Sequence, residues 1–129
     1  MSTEEVRAYL REGHQKRGYS LDMHGILATA DLEWSKKWGE FIEATYTGER
    51  LLDRKTKELL QIVVEAALRA EVGHIQAHVR VALQEGATPQ EILEALQTVI
   101  APMGALAFRR GVQAWAAETG FEAVQLEDE

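Results

Sequence analysis

The chain has 129 residues, 46% of them hydrophobic and 27% charged, with two prolines, no cysteine and a formal net charge of −7. A domain of this length buries roughly two-thirds of its unfolded surface, enough for a real core. The acidic balance excludes nucleic acid as the expected partner, and the missing cysteines exclude disulfides, a thiolate nucleophile, a thiol redox couple and Cys-ligated zinc or iron–sulfur centres.

No apolar run approaches the ~20 residues of a membrane span, and the first residues have neither the basic start nor the apolar stretch of a signal peptide. The expectation is a soluble, cytoplasmic protein without a membrane partner. Alternating apolar and polar runs are absent while three- and four-residue spacings recur, so the chain reads as one all-α domain of about six helices.

In chain order, Ser2 and Glu5 form a capping box for a first helix carrying Val6, Tyr9 and Leu10, which ends by Gly13 or Gly18. Gly18 to Gly25 reads as a connection. Ile26 to Tyr46 reads as one helix with Trp34, Trp38, Phe41, Ile42 and Thr45 on one face, stopped by Gly48; its aromatics are expected in the core or at a subunit interface. Asp53 opens a helix whose stretch from Leu59 to Leu68 is interrupted only by Gln61 and Glu65. A helix apolar nearly all round is expected to touch neighbours on several sides.

Arg69 to Gly73 forms a join. His74 to Glu85 is then an amphipathic helix with Ile75, Val79, Ala82 and Leu83 as its stripe, closed by Gly86. Thr88, Pro89 and Glu91 give the clearest punctuation in the chain: an N-cap, a proline at the first helical position and a capping-box glutamate. That helix presents Ile92, Leu93, Leu96, Val99 and Ile100 and breaks at Pro102 and Gly104. A last helix from about Ala105 to Glu118 carries Leu106, Val112 and Trp115, with Met103 and Phe108 as further core candidates. Gly120 stops it, and the acidic tail over 121–129, ending Glu127-Asp-Glu129, is expected to be solvated and mobile.

The stretch from Glu65 to His78 holds the chemistry. Helical spacing places Glu71, His74 and His78 along one side, provided the helix begins early enough to include Glu71. At about 100° per residue, Glu71 and His78 fall at the margin of the apolar stripe and His74 further toward the polar side. Three readings stand open. An imidazole titrating near neutrality beside a carboxylate suits general acid/base work. Histidines at i, i+4 can share one metal ion, with Glu71 or another carboxylate as third ligand, although no HExxH motif is present. The plain alternative is ordinary polar contact on a helix surface.

Glu65 sits in an apolar helix and needs a partner. Arg69, one turn on, is the expected one, and a Glu65 facing His78 in a pocket is the functional alternative. Glu58, beside Lys55 and Lys57, reads as a favourable first-turn charge. An anionic substrate would need local positive charge from Arg69, Arg80, Arg109 or Arg110.

Three blocks together carry a resemblance: Leu52-Asp-Arg-Lys-Thr-Lys-Glu58-Leu-Leu, the Glu71-x-x-His74-x-x-x-His78 segment with Val79 and Ala82 behind it, and Gly86-Ala-Thr-Pro-Gln-Glu-Ile92-x-x-Ala-Leu96. Over about residues 50–116 the chain resembles the carboxymuconolactone decarboxylase family, which includes alkylhydroperoxidase D. The resemblance implies an alkylhydroperoxidase D-like all-helical fold assembled as trimers or hexamers through helix packing between subunits.

In the redox branch of that family a Cys-x-x-Cys pair precedes a His, and a Glu assists proton transfer. Here Glu71 and His74 stand at the two Cys positions and His78 at the His position. Glu58 lies nearest the family Glu, one residue further from the first Cys position. Without thiols the disulfide cycle cannot run, so thiol peroxidase activity is excluded. The cysteine-less decarboxylase branch keeps the His and a Glu near the first Cys position, though His74 is not part of its pattern.

The resemblance implies a decarboxylase- or lyase-like reaction on a small carboxylated lactone or organic acid, without a cofactor. His78 would be the acid or base and Glu71 its partner, with His74, Glu65 and Glu58 completing the site. The alternatives are a divalent-metal protein using His74 and His78, or a non-catalytic oligomeric relative.

Overall fold

In the computed structural model, residues 2–126 are described, and among them there are helices and turns but no strand. The order is α1 (Thr3–Arg17), α2 (Asp22–Ala30), α3 (Leu32–Ile42) running into a π-helical turn (Glu43–Thr47), α4 (Arg54–Ala67), α5 (Val72–Gln84), α6 (Pro89–Gln97), the single turn α7 (Ile100–Met103) and α8 (Ala105–Thr119). None of these helices is long and apolar enough to cross a membrane. The expected tail residues Glu127-Asp-Glu129 lie outside the described residues. The chain forms two compact units, Met1–Arg54 and Lys55–Glu129.

In the first unit, α1 starts on the capping box read from the sequence: Ser2 Oγ accepts from the Glu5 amide at 3.1 Å, and Glu5 Oε2 accepts from the Ser2 amide at 3.2 Å. It ends at Gly18, whose φ of 86° places it in the left-handed region. The expected connection over Gly18–Gly25 is shorter than the sequence suggests. His24 Nδ1 accepts the Leu21 amide at 2.9 Å, which satisfies an otherwise orphaned donor and lets α2 start at Asp22.

The expected single helix from Ile26 to Tyr46 is divided at Asp31. The side chain of Asp31 accepts the Trp34 amide at 3.1 Å and so caps a new helix. The division changes which face is buried. Val6, Ala28 and Leu32 form the small core with Tyr9 and Leu10 against it, while Ser35 is buried and Trp34 and Phe41 are 49% and 62% exposed. Trp34 stacks on Trp38 instead, at 5.7 Å between centroids, and Trp38 on His24 at 6.0 Å.

In the second unit, Ile62 and Ala66 of α4, Ile75, Val79 and Ala82 of α5, Ile92 and Leu96 of α6, and Ala107, Ala114 and Trp115 of α8 make one core. Small residues let α8 sit close: a Cβ on Gly111 would collide with Leu96 Cδ2 and lie 3.3 Å from Ala66 Cβ. The Thr88–Pro89–Glu91 start of α6 is as read from the sequence, with Thr88 Oγ1 accepting the Glu91 amide at 3.0 Å and Glu91 Oε1 the Thr88 amide at 2.9 Å. Ile100 and Leu106, expected on apolar faces, are 44% and 67% exposed, because α6 ends at Gln97 and Gly104, at φ 80°, redirects the chain into α8. The helix α4 is buried on one side only, with Leu60, Val64 and Leu68 exposed along the other.

Candidate functional site

The apolar side of α4 carries two carboxylates. Glu58 and Glu65 are seven residues apart, two turns of helix and ~10 Å along its axis, so both lie on the side that also buries Ile62. The sequence reading favoured a first-turn role for Glu58 and Arg69 as the partner of Glu65, with Glu65 facing His78 as the alternative. The structure places Glu58 beyond the first turn and takes the alternative for Glu65. Arg69 follows the end of α4 with a φ of 58°, a left-handed backbone uncommon for a residue with a side chain, and its carbonyl accepts from Arg110 Nη1 at 3.0 Å. That corner reverses the chain and lays the first turns of α5 against α4.

Glu58 and Glu65 thereby face the histidines. His78 Nδ1 donates to Glu58 Oε2 at 2.7 Å, and His78 Nε2 lies 3.1 Å from Glu65 Oε1. His74 Nε2 lies 3.0 Å from the same Glu65 oxygen. The two imidazoles, one turn apart on α5, have centroids 5.3 Å apart. Glu58 is fully buried and His78 is 2% exposed, whereas the His74 side chain is 33% exposed and opens the cluster to solvent.

Burial works against a charge on His78, but the hydrogen bonds from Glu58 and Glu65 outweigh it and push its pKa up to about 9. At neutral pH it is therefore an imidazolium clamped between two carboxylates, with both ring N–H groups donating. Glu65 Oε2 is buried and has no hydrogen-bond partner among the described residues.

Glu71 does not join this group. It is the N-cap of α5, with extended backbone (φ −60°, ψ 141°) and an exposed side chain. A residue in that conformation does not project with the helix face beyond it, so the expected side shared by Glu71, His74 and His78 reduces to the two histidines. Of the five expected site residues, four converge and Glu58 takes the place expected of Glu71 as the carboxylate on the His78 ring. The signal for this was in the sequence: two carboxylates seven apart on an apolar helix, followed by two histidines four apart on the next.

The arginines considered as substrate anchors stand elsewhere. Arg80 pairs with Glu118 at 2.9 Å. Arg69, Arg109 and Arg110 line a groove of about 480 Å³ with Val72, Leu106 and Gln113. Neither the two imidazoles nor Glu58 and Glu65 are among the residues that line this groove.

Chemically, the cluster can hold or move a proton at His78 Nε2 and can offer two imidazole nitrogens and a carboxylate to a cation. Searches among curated proteins and among solved structures gave no match. A family comparison matches residues 33–117, about two-thirds of the chain, to the carboxymuconolactone decarboxylase family, extending the resemblance read over 50–116 to its N-terminal side. With a match covering α4, α5, α6 and nearly all of α8, the chain belongs to the carboxymuconolactone decarboxylase family as a cysteine-less member.

Proposed function

We propose that the chain carries out cofactor-free proton transfer, of the decarboxylase or lyase type, on a small carboxylated lactone or organic acid. One observation carries this reading: a buried His78 held at both ring nitrogens, by Glu58 at 2.7 Å and by Glu65 at 3.1 Å. An imidazolium so placed is an acid whose conjugate base is oriented in advance. Glu58 is the positioning residue, fixing the ring through Nδ1. Glu65 shares the proton at Nε2, and the partly exposed His74 stands where a substrate would enter.

In a decarboxylation, the carbon–carboxylate bond breaks, carbon dioxide leaves, and the electron pair passes into the conjugated lactone carbonyl. His78 then delivers its Nε2 proton to carbon and is recharged from solvent through Glu65 and His74. No organic cofactor is needed for this balance.

The same reading expects copies of the chain to pack through the exposed side of α4, where Leu60, Val64 and Leu68 are 50%, 52% and 74% exposed. The test is a pH–rate profile on a panel of carboxylated lactones and keto acids with chelator present. His78→Gln is expected to lower kcat by about 10²- to 10⁴-fold. Activity retained in that variant overturns the reading.

A further inference from the structure

We propose that Glu65, His74 and His78 form a binding site for one divalent transition-metal ion of the zinc, cobalt and iron(II) class. Three nitrogen and oxygen ligand atoms, Glu65 Oε1, His74 Nε2 and His78 Nε2, all lie within 4.8 Å of one another. Two of the separations are 3.0 and 3.1 Å. Ligands at ~2.0–2.1 Å from a common ion are ~2.9–3.4 Å apart in octahedral or tetrahedral geometry, so both carboxylate–imidazole separations stand at ligand spacing.

The surroundings are those of a ligand set. Imidazoles that hold metals nearly always give their other ring nitrogen to a carboxylate or carbonyl, which fixes the tautomer and turns the free nitrogen to the ion. Glu58 does this for His78, at 2.7 Å on Nδ1 and entirely out of solvent. Glu65 Oε2 is a buried carboxylate oxygen without a hydrogen-bond partner among the described residues, which lets Glu65 bind through one oxygen or two. His74 is the solvent-facing ligand, so water or a small carboxylate can reach the site beside it.

Two imidazoles and one carboxylate suit a borderline divalent ion, not calcium or magnesium, which prefer oxygen alone. The ion and the proton of the preceding section are rival occupants of His78 Nε2, and the inference stands on ligand geometry without needing that reaction.

The test uses the full chain, stripped with chelator and titrated with zinc by calorimetry and with cobalt by visible absorption. One ion per chain is expected, with cobalt d–d bands in the range of four- or five-coordinate nitrogen–oxygen sites. His74→Ala, at a partly exposed position that leaves the buried pair intact, is expected to weaken zinc binding at least 100-fold. Glu58→Gln is expected to weaken it about 10- to 100-fold. The double variant His14→Ala with His24→Ala, remote in sequence, is expected to leave the affinity unchanged.

No saturable binding of zinc or cobalt overturns the proposal, as does binding that survives His74→Ala or is lost with His14 and His24. Because the readout is heat and colour, turnover by chelator-treated protein tests the acid/base reading separately.

Discussion

Glu58 and His78, twenty residues apart in sequence, meet at 2.7 Å with neither side chain reaching solvent. A buried ion pair of this kind is weak evidence for stability as a pair, because both charges lose hydration, but removing one member strands the other. Glu58→Ala is expected to destabilise the fold by about 3–5 kcal/mol. Glu58→Gln, which keeps an acceptor oxygen for Nδ1–H, is expected to cost less. Urea denaturation of the two variants checks the order, and equal losses would show that the acceptor oxygen kept by Gln contributes nothing without the charge.

The raised pKa of His78 sets a pH dependence for chelator-treated protein. Because the folded value is about 9 against an ordinary 6.5, the folded state holds a proton that the unfolded chain releases. The resulting stability is complete below pH 6.5 and is lost as pH rises through about 9. Glu58, Glu65 and the neighbouring His74 are the groups that face it. Urea midpoints between pH 6 and 9.5 are expected to fall in wild type and to flatten in His78→Gln.

Glu91 gives the opposite slope at the acid end. Its pairing with Lys55 at 2.9 Å, then its hydrogen bonds at the Thr88 cap, hold its carboxyl below the usual 4.5. Its contribution is present above that value and fades as the pH drops through the lowered one. Glu91→Gln is expected to shallow the acid unfolding limb, read by circular dichroism between pH 5 and 2.

Two glycines predict opposite outcomes for the same substitution. At Gly111 an added methyl meets Leu96 and Ala66, so Gly111→Ala is expected to destabilise by about 1–3 kcal/mol through overpacking. At Gly25, inside α2, nothing lies within 4 Å, so Gly25→Ala is expected to stabilise by about 0.5–1 kcal/mol. Thermal denaturation of the two variants distinguishes them.

The exposed line Leu60, Val64 and Leu68 makes self-association testable. Sedimentation of the wild-type chain is expected to show a species heavier than the 14.4 kDa protomer. Val64→Glu is expected to shift it toward the protomer while leaving the helical signal intact. A wild-type protein that sediments only as protomer removes that expectation.

Local chemistry made much of this fold legible in the sequence. Ser2 with Glu5, and Thr88 with Pro89 and Glu91, announce helix starts through groups three residues apart. Gly18, Gly86 and Gly120 take the left-handed conformations expected past helix ends. The division at Asp31 was hidden because the apolar spacing runs across it, and only the side-chain hydrogen bond to Trp34 reveals the new start. The exposure of Trp34 and Phe41 follows from that.

At the site, His74 and His78 were visible from their spacing and Glu65 facing His78 stood as one alternative, but the pairing of Glu58 with His78 was not read. Nearest-neighbour reasoning along one helix supplies Lys55, Lys57 and Arg69. The histidine partners lie on the next helix, and pairing across a corner depends on how that corner turns.

That corner has a consequence of its own. Arg69 occupies a conformation costly for an arginine, and Arg110, from a helix that lends no group to the cluster, grips the carbonyls of Arg69 and Ala70. The alignment of His74 with Glu65 thus hangs on a clasp fastened from outside. A substitution at position 110 is expected to disturb that alignment without touching any residue of the cluster.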